Sequence, residues 1–149
     1  MANINLDTFF YAARTGNISL LKYYIDTGID IHSSDDFALR LAIAHKQKNA
    51  IIFLLQNGAS KQVFNNSMLR LASLKGETEI VKELLEEKTC DKESKLYAMY
   101  NAILCGYPDI VKLLLNDGLS PTSDNGAILR VVKLTTHESI INLFKEYLN

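Results

Sequence analysis

Apolar positions recur along this chain in short bursts three and four residues apart, and the bursts themselves recur every 30 residues. Ala12, Ala42, Ala72 and Ala102 mark the interval, and Val132 fills the next place with another small apolar side chain. Four residues beyond a marker stand Gly16, Gly76 and Gly106; eight beyond stand Leu20, Ala50, Ile80, Ile110 and Ile140. A fixed period of this size signals a stacked array of one structural unit. Within residues 36–59, Leu39, Ala42 and Ile43 give one helix an apolar face, and Ile51, Ile52, Leu54 and Leu55 give a second. Each unit is therefore predicted to be two short antiparallel helices.

The punctuation agrees. Gly76 and Gly106 are placed to turn left-handed after a first helix, Thr78 to cap a second helix, and Pro108 to begin one where its missing N–H costs nothing. Gly28, Gly58 and Gly118 close second helices. Lys46 and Lys88 stand where other units have glycine, and each costs about 1 kcal/mol if the backbone there stays left-handed. One helix pair cannot bury both its apolar faces, whereas five stacked pairs bury a continuous ribbon of core. The pattern predicts an all-α solenoid of five helix-turn-helix repeats with short loops, near 5–34, 35–64, 65–94, 95–124 and 125–149, forming one domain over 1–149. The outer repeats read as caps. Phe9, Phe10, Tyr11, Tyr23 and Tyr24 crowd the first, while in the last Thr136 replaces the turn glycine and Lys145 a leucine.

At these residues the chain resembles the ankyrin repeat family. Counterparts of the family pattern are Leu69, Ala72, Gly76, Ile80, Val81, Leu84 and Leu85 in the third repeat, and Leu39, Ala42, Leu54, Leu55, Gly58 and Ala59 in the second. The usual period is about 33. Here only nine residues separate Gly28 from Phe37, Gly58 from Ser67 and Gly118 from Ala127, so the hairpin finger between repeats is clipped. Arg40, Arg70 and Arg130 replace a histidine that in the family ties neighbouring loops together. They read either as a ladder to loop carbonyls or as a basic stripe for an anionic partner. Repeats clipped in this way are similar to the ankyrin arrays of large DNA viruses.

The resemblance implies a protein partner met by a concave face built from the fingers and the ends of the first helices. Carried over, that face holds Arg14, His45, Leu74 with Lys75, Leu104 with Cys105, and Leu134, with Phe64 and Asn66 on a short loop. Leu74, Leu104 and Leu134 form an apolar strip there, or else belong to the core. Phe37 and Tyr97 occupy one register place and are expected to pack on their neighbours.

Composition narrows the classes. A net charge of -1 gives no long-range field for phosphate backbones, so nucleic acid is disfavoured as a partner. Cys90 and Cys105 fall at unrelated points of the repeat, which points to free thiols and a reducing compartment. No stretch is apolar for the roughly 18 residues of a membrane span, and the start MANINLDTFF lacks the pattern of a signal peptide. His32, His45 and His137 have no further ligand at metal spacing, no glycine-rich phosphate loop follows a strand, and Cys105 has no predicted histidine partner. Neither an enzyme nor a cofactor is expected. The expected function is a cytoplasmic, monomeric protein that blocks or modulates a host or partner protein. A nucleic-acid binder using the arginines, or a self-associating module, is the alternative.

Overall fold

The computed structural model describes residues 5–149, which form ten helices and no strand. In chain order these are α1 (Leu6–Thr15), α2 (Ile18–Asp26), α3 (Ser33–Ala44), α4 (Lys48–Gln56), α5 (Lys61–Lys75), α6 (Thr78–Glu86), α7 (Lys92–Cys105), α8 (Pro108–Asn116), α9 (Ala127–Leu134) and α10 (Glu138–Leu148). Odd-numbered helices are the first helices of the repeats and even-numbered ones the second. Two compact units are distinguished among the described residues, 5–64 and 65–149, with the boundary inside α5.

The alanine period has a backbone cause as well as a packing one. The carbonyls of Ala12, Ala42, Ala72 and Ala102 each accept the N–H five residues on, from Asn17, Gln47, Glu77 and Tyr107, at 2.8–2.9 Å. This bond closes the first helix around a left-handed residue and satisfies a carbonyl that the helix end would otherwise orphan. Gly16, Gly76 and Gly106 take that conformation at φ 73, 74 and 77°, and Lys46 takes it at 56° without being glycine. In the fifth repeat Thr135 is extended, and His137 N–H goes to the Thr135 hydroxyl instead. All four alanines are fully buried.

In the first unit the buried residues include Phe9, Leu21, Leu39 and Leu54 with Ala12 and Ala42. Phe9 meets Tyr24 edge-on at 6.3 Å, and Phe10 meets Phe37 at 5.0 Å and 89°. Tyr11 and Tyr23 stay more than half exposed, so the aromatic cap is only partly sealed. In the second unit Leu69, Val81, Met99, Ile103, Ile110, Leu114, Ile128, Ile140 and Phe144 form one cluster.

The expected clipped fingers are built differently. In the third and fourth repeats the first helix simply begins early, at Lys61 and Lys92, so residues placed in loops by the sequence are helical. Phe64 is one of them, half-buried within α5. The second and fifth repeats instead open with three consecutive left-handed residues. These are Ser34, Asp35 and Asp36 at φ 55, 56 and 54°, and Asp124, Asn125 and Gly126 at 57, 51 and 76°. Asp, Asn and Gly are the residues that tolerate this region. Arg40 Nη2 donates to Ser34 O at 2.8 Å and Arg130 Nη1 to Asn125 O at 2.9 Å, so these arginines clamp the turn of their own repeat. Arg70, which follows no such turn, reaches the next repeat and donates to Ser94 Oγ at 3.3 Å. Thr78 is not the cap of α6 but its first residue; Glu77 holds the cap position without a side-chain bond.

Candidate functional site

The ends of the first helices are fixed by a stack of turn residues. Each turn glycine is covered by the side chain that follows the next repeat's turn. An added Cβ would lie 2.6 Å from Gln47 Oε1 at Gly16, 2.7 Å from the Tyr107 ring at Gly76 and 2.6 Å from the His137 ring at Gly106. Gln47 Nε2 donates to Arg14 O at 2.9 Å, and His137 Nε2 lies 3.3 Å from Leu104 O. Arg14 and Leu104, two of the residues read as binding positions, therefore project from anchored backbone.

In the second unit, Leu74, Leu104 and Leu134 occupy one register place in the last turns of α5, α7 and α9. They are 51%, 64% and 81% exposed, so they are surface and not core. Lys75, Cys105 and Lys133 stand exposed beside them. Tyr97, also exposed, carries the Arg70 guanidinium 5.1 Å above its ring, and Arg70 Nη2 lies 3.8 Å from the Glu93 carboxylate. Tyr100 donates its hydroxyl to Asp124 Oδ2 at 2.5 Å; burial, then this bond and the nearby carboxylate, push its pKa up to about 12.

Not every residue read as a contact is available for one. Asn66 is half-buried in α5, donating to Asp91 Oδ2 at 2.7 Å and accepting from Asp91 N at 3.0 Å. Its neighbour Asn65 is buried and donates to Glu87 Oε2 and Thr89 Oγ1 at 2.8 and 2.6 Å. Sequence reasoning overlooked Asn65 and Ser94 as joints between repeats. The signal was a polar residue on the core side of a helix, answered by another about one repeat on.

In the first unit, Arg14 lies 5.5 Å over the Tyr11 ring, beside a cavity of about 340 Å³ lined by Asp7, Phe10, Tyr11, Arg14, Phe37 and Leu41. His45 is exposed at the end of α3. His32 Nδ1 sits 3.1 Å from both oxygens of the buried Asp36 carboxylate, which also accepts from Ser60 N at 2.8 Å. That pair ties down the left-handed turn and presents no nucleophile.

Asp117 is the other charged group withdrawn from solvent, its side chain 5% exposed. Burial pushes its pKa up, but hydrogen bonds and charge from Lys88 at 2.7 Å and Lys95 at 2.6 Å outweigh this and hold it below the ordinary value. Lys88 thus has a carboxylate partner for the left-handed strain at its φ of 57°. Cys90 and Cys105 are both free, and burial raises the Cys90 pKa. Among the described residues no three His, Cys, Asp or Glu side chains converge as metal ligands, and no helix is long and apolar enough to cross a membrane.

Comparison with known proteins agrees with the geometry. The family model described as "Ankyrin repeats (3 copies)" matches residues 59–125. An ankyrin repeat protein of Fowlpox virus (strain NVSL) is 32% identical over 108 residues, covering 70% of this chain and 77% of that protein. One of Acanthamoeba polyphaga mimivirus is 26% identical over 140 residues, covering 87% of this chain but 47% of its own length. The chain spans about half of that larger relative. It belongs to the ankyrin repeat family, whose repeats are protein-interaction modules.

Proposed function

We propose that this protein is a non-catalytic scaffold that holds another protein against the exposed face of its first helices and acts by covering that partner's working surface. The in-register exposure of Leu74, Leu104 and Leu134 carries the reading. An apolar strip with no internal use is a feature of interaction sites. Rigid helix ends support it further, because a preformed surface loses little conformational entropy on binding. Lys75 and Cys105, at the ends of the same first helices, extend the contact surface of the second unit, while Arg14, His45 and Phe64 lie on first helices of the first unit or at their ends. Both relatives are viral proteins, which supports a host protein as the partner, met in the cytoplasm by a monomer. The engagement of Arg40 and Arg130 with their own turns weighs against a basic stripe for nucleic acid.

The test is affinity capture from host-cell lysate with the parent and with a Leu74→Asp/Leu134→Asp variant whose fold is checked by circular dichroism. A protein enriched by the parent and lost with the folded variant supports the reading. Equal capture by both forms places the contact elsewhere and overturns it.

A further inference from the structure

Charge is unevenly distributed around the three leucines. The closing turns of α5, α7 and α9, residues 67–75, 97–105 and 127–135, carry Arg70, Lys75, Arg130 and Lys133 and no acidic residue. All four cations are on α5 and α9, while the same stretch of α7 is uncharged. Asn101 Nδ2 donates to Arg70 O, and α7 packs on α9, so the uncharged helix meets both basic ones. Lys75 and Lys133 are exposed and have no ion-pair partner among the described residues. The acids that follow in the chain, Glu77, Asp109 and Glu138, stand at the starts of α6, α8 and α10, where the helix dipole already favours them. On the first helices themselves Glu93 is 3.8 Å from Arg70, and Asp124 just ahead of α9 is taken up by Tyr100.

Resting on the function proposed above, we infer that this face takes an acidic segment of its partner, one that brings large apolar side chains to Leu74, Leu104 and Leu134 and carboxylates to Lys75 and Lys133. Charge complementarity selects this occupant. A polynucleotide would leave the leucines unanswered, since its affinity comes from phosphate contacts. A basic segment would set like charges against both outer helices.

Selection of random displayed peptides on the intact protein tests this. Three baits are used: the parent, Lys75→Glu/Lys133→Glu, and Leu104→Ser/Leu134→Ser, each checked for fold by circular dichroism and thermal melting. The parent should enrich acidic peptides bearing at least two large apolar residues. The charge-reversed bait should lose that preference, and one synthesised winner should bind it about tenfold more weakly. The leucine-substituted bait should enrich none of these peptides. The inference is overturned by winners without an acidic excess, by no winners, by enrichment indifferent to charge reversal, or by sedimentation showing that a second copy of the chain occupies the face. Lysate capture that depends on Leu74 and Leu134, alongside winners lacking acidity, removes this inference and leaves the proposed function standing. Capture indifferent to those leucines removes the function itself.

Discussion

His137 lies directly over Gly106, so close that a methyl group added to the glycine would fall 2.6 Å from the imidazole. The glycine is needed twice, for its φ of 77° and for the space its missing side chain leaves. Gly118, at φ 101°, has nothing within 4 Å of an added Cβ. Gly106→Ala should therefore destabilise more than Gly118→Ala, by about 1–3 kcal/mol for the overpacking. His137→Ala should recover part of that difference, read from a double-mutant cycle of urea denaturation.

Lys88 and Asp117 oppose backbone strain with charge. Lys88→Gly removes the strain and the ion pair together, whereas Lys88→Ala keeps the strain and removes only the pair. The glycine variant should be more stable than the alanine variant by about 1 kcal/mol in denaturant midpoints converted to free energy.

Because the Asp117 pKa is lowered in the folded state, the unfolded chain binds more protons as pH falls below the ordinary aspartate value. The stabilisation is complete above that value and is lost as pH falls through the lower folded one. Asp117→Asn should lower stability at neutral pH and flatten this acid dependence in melting curves.

Tyr100 gives the opposite sign. Its folded pKa of about 12 lies above the ordinary phenol value, so the folded state holds the proton longer. The contribution is present below the ordinary value and disappears as pH rises through 12. Phenolate absorbance should show one tyrosine titrating late, and Tyr100→Phe should remove it.

The left-handed turn before the second repeat should respond to relief of strain. Asp35→Gly is expected to stabilise by about 1 kcal/mol, since Asp35 holds φ 56° and its side chain is exposed. Arg40→Ala should destabilise by about the value of one hydrogen bond to a charged group, roughly 1.5–3 kcal/mol at most given its exposure. Thermal melts of both variants check the signs.

The repeat was legible in the sequence because its signal is periodic. Ala12, Ala42, Ala72 and Ala102 perform the same task in the first four copies, down to the N–H each carbonyl accepts. The turn stack was not legible, because Gln47, Tyr107 and His137 share a position but no chemistry; only their contact with the preceding glycine unites them. The openings of the repeats were misread for a related reason. Lys61–Asn66 has no apolar stripe of its own, and its helix is held by Asn65 and Asn66 bonding forward by 22 to 25 residues. Register alone put Leu74, Leu104 and Leu134 at the helix ends. Whether they faced in or out turned on a rotation of one residue, which the structure resolves outward.

Arg40 with residues 34–36 and Arg130 with residues 124–126 each form one local unit, a left-handed turn held by the arginine that follows it. Arg70, which no such turn precedes, instead meets the Tyr97 ring and the Ser94 hydroxyl. Repeats of this protein are therefore not interchangeable at an arbitrary cut. A chimaera joined between turn and clamp would strand the strained backbone in one parent and the cation in the other, while a junction placed ahead of the turn would carry both across intact.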